Sequence, residues 1–203
     1  MKEARLAIFA SGSGTNAERI MEYFAHHPTI QVKMVLSNNP NAYALERAKK
    51  FSVPTRIFSK KEWRESGDVL SWLQENQITH VVLAGFLWLV PPFFIQAFPN
   101  KIVNIHPALL PKYGGKGMYG MKVHEVVKKE GEKITGISIH LVNEAYDEGT
   151  VLFQATCPVH PHDTAKRIAD KVHQLEYLHF PKVIDHWVMG LLPKKPKGLD
   201  SNL

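Results

Sequence analysis

The feature that most narrows the fold is Leu6-Ala7-Ile8-Phe9-Ala10, an unbroken apolar run followed at once by Ser11-Gly12-Ser13-Gly14-Thr15-Asn16 and a helical pattern through Ile20, Tyr23 and Phe24. A strand apolar at consecutive positions buries both faces, as strands of parallel sheets do. The same rhythm then recurs. Residues 32–36, 54–58 and 78–84 read as short apolar strands, residues 42–51 and 60–76 as helices with Ser59 as an N-cap, and Pro91-Pro92 opens a further short helix. Strands alternating with helices predict βαβ units and a sheet covered on both faces. Trp63, Leu70 and Leu73 are read as core, and Trp72 as cover for an edge.

The second half departs from that rhythm. Lys101-Ile102-Val103-Asn104-Ile105-His106-Pro107-Ala108-Leu109-Leu110-Pro111 begins as a β-branched strand and stops at Pro107, which keeps His106 out of helical geometry. Four glycines, Gly114, Gly115, Gly117 and Gly120, make a regular element costly in the next stretch and predict a mobile loop flanking the strand end. A helix over 121–130 follows, then a strand over 134–142 with Ile137, Ile139 and Leu141 on one face and Ser138, His140 and Val142 on the other. A strand over 151–157 and a long helix over 164–187 end the pattern. The last two strands are joined by a short polar loop, so one of them should run against the rest. The expected architecture is a single three-layer α/β/α domain over residues 1–190, with a mostly parallel sheet of about seven strands and one antiparallel strand. Residues 191–203, with Lys194, Lys195 and Lys197, read as a flexible basic tail.

Composition closes several routes. At 203 residues and 44% hydrophobic content the chain can bury one core, and it has no apolar run long enough for a membrane helix. Met1-Lys2-Glu3-Ala4-Arg5 lacks the pattern of a secretion signal, and Cys157 is the only cysteine, which excludes an intrachain disulfide and fits the cytoplasm. The net charge of +6 suits a small anionic substrate as well as a nucleic acid. Gly114 and Gly117 imitate the GxxG clamp of an RNA-binding domain, but nothing else of that domain accompanies them. His160 and His162 complete no zinc spacing, so no metal is expected.

Two constellations carry chemistry. Gly12, Ser13, Gly14, Thr15 and Asn16 lie between a strand and a helix, where backbone N–H groups at a helix start make an anion site. A dinucleotide site would want an acid at the end of the second strand; Ser37-Asn38-Asn39 stands there, which favours a phosphate monoester. Asn104 and His106, two residues apart, share a strand face at the carboxyl end of a strand, where open α/β sheets bind ligands, and an amide beside an imidazole can stabilise an oxyanion and handle a proton. Asp147, in the later polar loop, is the natural third partner; a carboxylate there should raise the His106 pKa above its ordinary value. Glu176, among apolar residues of the last helix, would ordinarily be solvated.

Gly12-Ser13-Gly14-Thr15-Asn16, the run from Asn104 to Tyr113, His140 and Tyr146-Asp147-Glu148-Gly149 together resemble the phosphoribosylglycinamide formyltransferases, the folate-dependent transformylases of purine synthesis. The resemblance runs over nearly the whole chain. It implies 10-formyltetrahydrofolate as co-substrate and 5-phosphoribosylglycinamide as acceptor. It implies that Asn104 and protonated His106 stabilise the oxyanion, with Asp147 supporting His106 and His140 in a supporting place. Gly12 to Asn16 would hold the substrate phosphate, and Glu176 would receive the glycyl amine region. Phe86, Leu87, Trp88, Leu89 and Val90, with Asn104 and with Asn143, Glu144, Ala145, Tyr146 and Asp147, would wall the pterin pocket. It further implies small-molecule partners without nucleic acid or membrane, and a monomer or homodimer in the cytoplasm.

Two departures stand out. Some members carry an arginine for the folate's glutamate tail where Trp88 stands here, and stacking is a substitute. The glycine loop is also longer than the commonest pattern. Among nearby enzymes, formyltetrahydrofolate deformylase adds a domain before this core and methionyl-tRNA formyltransferase adds one after it; neither is expected here. Sugar-nucleotide formyltransferases share the core but differ after the histidine. A different class of reading is a non-catalytic nucleotide- or RNA-binding module, which the basic balance and glycine turns alone support.

Overall fold

The computed structural model describes residues 3–192. Of the expected basic tail, everything from residue 193 on lies outside the described residues. Seven strands form one sheet: β1 (Ala4–Phe9), β2 (Ile30–Ser37), β3 (Thr55–Ile57), β4 (His80–Leu83), β5 (Ile102–His106), β6 (Ile134–Leu141) and β7 (Val151–Pro158). Their order is β3-β2-β1-β4-β5-β6-β7. β1 to β5 pair in parallel, β6 is antiparallel to β5, and β7 is antiparallel to β6. β6 is therefore the one strand running against the rest, as expected.

The both-faces-buried reading of the first strand explains the layers. Leu6, Ile8 and Ala10 enter one core and Ala7 and Phe9 the other. The first core lies under α1 (Thr15–Phe24), α2 (Tyr43–Lys50), α5 (Met121–Lys129) and the 24-residue α6 (Ala165–Val188). The second lies under α3 (Asp68–Glu75) and α4 (Pro92–Ala97), where Phe9 meets Phe58, Trp63, Phe86 and Phe94 at ring distances of 5.5 to 6.0 Å. Burying such rings gives about 1.5–3 kcal/mol each, with a further contribution from edge-to-face geometry.

The helix expected over 60–76 is interrupted. Ser59 does cap it, accepting from the Glu62 N–H while Glu62 accepts from the Ser59 N–H, a capping box. A π-helical turn then runs over Glu62–Ser66, and Gly67, at φ 71°, separates it from α3. The break lets Trp63 enter the core fully buried, with its indole N–H on the Leu89 carbonyl at 3.0 Å. The break also changes the inward face: Val69 and Leu73 are buried and Leu70 only half so. Trp72 stays half-exposed under Arg56, as edge cover.

The polar face of β6 is buried rather than solvated. Ser138 donates to the Ala108 carbonyl at 2.7 Å and accepts from the Leu110 N–H at 2.9 Å. It thus holds the segment after His106 against the sheet.

Candidate active site

The chain builds β1 to β3 outward in one direction, then crosses to place β4 on the other side of β1. Such a reversal opens a crevice at the carboxyl ends of the strands. A cavity of about 650 Å³ lies there, lined by the turn after β1, the segment after β4 and the end of β5.

One end of the cavity is made of backbone. Gly14 has φ 72°, and a Cβ on it would sit 2.4 Å from Ala44 Cα, so no other residue lets α2 seat so closely on the turn. The Ala44 N–H donates to the Gly12 carbonyl at 3.1 Å. Arg47 donates through Nε to the Ser13 carbonyl at 2.9 Å, pairs with Glu18 and lies over the Tyr43 ring. Ser11 ties three strand ends together: its hydroxyl bonds Asn38 at 2.7 Å and the Leu87 N–H at 3.1 Å, and its N–H bonds the Gly85 carbonyl. Asn38 and Asn39, standing where a dinucleotide site would place an acid, brace the turn instead. The backbone N–H groups of residues 12–16 make no hydrogen bond among the described residues, and α1 begins at Thr15. Free N–H groups at a helix start are complementary to an anion.

Glu176 comes to this end as well. It is buried, not solvated, and accepts from Asn16 Nδ2 at 2.8 Å. Burial pushes its carboxyl pKa up, against the Asn16 bond.

The other end is made of titratable side chains. His106 is 3% exposed, and its Nε2 lies 2.7 Å from the Tyr113 carbonyl. A carbonyl only accepts, so Nε2 carries the proton and Nδ1 faces the cavity. Nδ1 is 3.5 Å from Asp147 Oδ2, which also accepts the Gly115 N–H at 3.0 Å. Asp147 Oδ1 lies 3.5 Å from both Asn104 Nδ2 and His140 Nε2. His140 Nδ1 lies 2.9 Å from the Leu141 carbonyl, and its Nε2 lies between Asn104 Nδ2 at 3.1 Å and Asp147 Oδ1. The Asn104 amide thus has two partners, His140 Nε2 and, at the longer 3.5 Å, Asp147 Oδ1.

The loop carrying Asp147 reaches the site because it folds back on β6: a Cβ on Gly149 would lie 1.6 Å from the Leu141 carbonyl oxygen. Asp147 itself has φ 58°, a left-handed conformation that aspartate tolerates better than most residues.

The electrostatics correct one expectation. His106 lies below the ordinary histidine pKa, not above it. Burial is the larger influence, and it outweighs Asp147 and the Tyr113 carbonyl, both of which favour the cation. Asp147 stays below its ordinary value: burial opposes its charge, but His140, His106 and the Gly115 N–H outweigh that. At rest, a neutral imidazole faces an ionised carboxylate.

Between the two ends, Phe86, Leu87, Trp88, Leu89 and Val90 form an apolar wall. It is stiffened by the Trp63 bond to Leu89, and Trp88 packs edge-on to Phe58 at 6.0 Å. Asn143, Ala145, Tyr146 and Asp147 form the facing wall, whereas Glu144 is exposed and outside the lining. The glycine loop forms part of the cavity wall as far as Met121. Reading the sequence did not find His124 or His173 in the lining, nor the Tyr113 carbonyl on His106. His173 lies one helical turn before Glu176, a signal that was available. His160 and His162 join no group of three or more metal-ligand side chains among the described residues, and Cys157 is a buried thiol whose pKa burial raises.

The fold has known counterparts. Among solved structures, the phosphoribosylglycinamide formyltransferase of Anaplasma phagocytophilum superposes with a TM-score of 0.84 at 31% identity, covering 93% of this chain and 89% of that one. The chloroplastic phosphoribosylglycinamide formyltransferase of Arabidopsis thaliana is 37% identical over 190 residues, 90% of this chain; the chain spans 65% of that relative's length. The Haemophilus influenzae phosphoribosylglycinamide formyltransferase is 34% identical over 197 residues, covering 94% of this chain and 90% of the relative. The formyl transferase family profile matches residues 4–184, from the first strand into the last helix, and the chain belongs to that family.

Proposed function

We propose that the chain transfers the formyl group of 10-formyltetrahydrofolate to the amine of 5-phosphoribosylglycinamide, in purine biosynthesis. The observation that carries this is one cavity joining a turn of free backbone N–H groups to the Asn104, His106 and Asp147 cluster. A phosphate suits the first end and an acyl transfer the second. The apolar slot between Phe86 to Val90 and the backbone of residues 143–147 fits a flat fused ring with polar edges. When bound there, the folate supplies the formyl group and the nitrogen that leaves.

The residues then have distinct work. Residues 12–16 hold the phosphate, and Glu176 lies towards the glycyl amine region. Asn104 donates an amide hydrogen, directed at Asp147 Oδ1 in the unliganded site, to the formyl oxygen as negative charge develops there. His106, neutral at rest, accepts a proton through Nδ1 as the amine attacks. The imidazolium so formed is paired with Asp147 and can return that proton to the leaving nitrogen. His140 holds Asn104 in place. Residues 1–190 form the catalytic domain, working in the cytoplasm as a monomer or homodimer on small molecules alone. No helix among the described residues is long and apolar enough to cross a membrane.

The test is turnover of 10-formyltetrahydrofolate with a panel of amines. Tetrahydrofolate release that requires phosphoribosylglycinamide is the expected result. Release without any amine would assign a hydrolase instead, and a preference for another amine would assign another formyl transfer. Steeply salt-dependent RNA binding without turnover would assign a binding module.

A further inference from the structure

Among the described residues, two buried side-chain polar atoms have no hydrogen-bond partner, Asn16 Oδ1 and His124 Nδ1, and both residues line the same cavity. His124 is the more telling. It is 2% exposed, it projects from the first turn of α5, and its Nδ1 makes no hydrogen bond. Leaving a buried polar group unpaired opposes folding, so a partner is expected where one can enter. The protein supplies none. The nearest ring is His173, edge-on at 6.4 Å, itself stacked on Tyr177.

We propose that His124 is a substrate-positioning residue whose Nδ1 pairs with a hydroxyl of the substrate's sugar. This rests on the reading of the substrate as a phosphoribosyl amine. The lining selects a hydroxyl over an anion: the His173 ring that faces His124 lies one helical turn before Glu176, whose carboxylate sits beside the Asn16 amide, and Asn16 Oδ1 can only accept, so a phosphate would meet repulsion there. A neutral polyol offers O–H donors to both. Burial first, then the neighbouring His173 and His106, hold His124 down at about 4, so it stays neutral, with one nitrogen to donate and one to accept, as a hydroxyl requires. The place agrees as well. The sugar joins the phosphate to the glycyl amide, and His124 lines the cavity that runs from residues 12–16 to His106.

The test uses wild type, His124→Phe and His124→Asn, each assayed with phosphoribosylglycinamide and with its 2′- and 3′-deoxyribose analogues. His124→Phe keeps the ring and removes both nitrogens; Asn keeps a polar atom near the place of Nδ1. The expected result is a KM for the acceptor about five- to tenfold higher in His124→Phe, the scale of one neutral hydrogen bond. The KM for 10-formyltetrahydrofolate should be unchanged, and His124→Asn should restore much of the loss. One deoxy analogue should bind wild type weakly by a similar factor yet bind His124→Phe no worse than the full substrate does. The unliganded His124→Phe protein should melt no lower than wild type, because it loses an unpaired polar group and not a bond. An acceptor KM that does not move, or a loss equal for substrate and both analogues, would overturn the assignment while leaving the reaction in place. A lower melting temperature with no selective KM effect would show a structural role instead. A wild type inactive towards phosphoribosylglycinamide would remove the reading of the reaction and this proposal with it.

Discussion

The two ends of the cavity are built from different materials. At one end, a fixed ligand charge would meet backbone N–H groups, whose dipoles cannot titrate and whose position is set by packing: Ala44 against Gly14, Arg47 on the Ser13 carbonyl, Ser11 between three strands. At the other end, where the proposed reaction would make charge appear and vanish, stand buried side chains braced by further contacts: His106 Nε2 on the Tyr113 carbonyl, His140 Nδ1 on the Leu141 carbonyl, and Asp147 Oδ2 accepting from the Gly115 N–H. On the proposed function, binding falls to geometry and chemistry to titration. Changes at the first end should appear in KM, and changes at the second in kcat.

The largest effect should come from Asp147→Asn, which keeps shape and removes charge. We expect kcat to fall roughly a hundredfold or more, the scale of acid–base and oxyanion contributions, with little change in acceptor KM. The pH profile adds a sign. In the proposed mechanism neutral His106 is the working form, and burial first of all holds its pKa below 6.5, so the acid limb of kcat/KM should lie below pH 6.5. Asp147 is one of the influences raising it, so Asp147→Asn should move that limb to lower pH. An unmoved limb would separate Asp147 from His106.

Gly14→Ala comes next. The added methyl meets Ala44 at 2.4 Å from a backbone at φ 72°, so the turn or α2 must shift. The acceptor KM should rise about tenfold or more, as charge-assisted bonds to the phosphate are misaligned, and kcat should change less. A fall in kcat at normal KM would erase the division between the two ends. Arg47→Met, which removes the grip on the Ser13 carbonyl and keeps the stem, should raise the same KM only about three- to tenfold.

These contrasts also show what the sequence could tell. The alternation of strands and helices, the turn after the first strand and the placing of Asn104 and His106 at a strand end were legible because each rests on local pattern: apolar runs, glycine placement, a proline that ends a strand. The sign of the His106 shift was not. It depends on how much water the folded chain removes, and no spacing in the sequence reports that the ring ends 3% exposed. The π-helical turn at Trp63 was hidden for a similar reason: the helical period holds through residues 60–76, and a tertiary demand for a buried indole overrides it. Glu144 follows Asn143 in the motif, yet the loop turns it to solvent.

The smallest effect lies outside both ends. Burial first, then Lys101, holds His80 down at about 4, packed beside Trp187. The unfolded chain takes up that proton near pH 6.5 and the folded one only near 4. His80 therefore favours folding fully above pH 6.5, and stability should be lost as pH falls from 6.5 towards 4. Denaturant midpoints measured over that window should slope less steeply in His80→Gln, with turnover unaffected. An unchanged slope would place the acid sensitivity elsewhere.

The coupling of His106 to Asp147 is tested most directly by kcat for His106→Ala, Asp147→Asn and the double variant, in formyl transfer to phosphoribosylglycinamide. If a neutral imidazole becomes a cation against this carboxylate, each single change costs roughly two orders of magnitude or more, with His106→Ala at least as damaging. The double variant should then be little worse than His106→Ala, because the two side chains act as one device. Near-normal turnover by Asp147→Asn, or losses that multiply in full in the double variant, would contradict it.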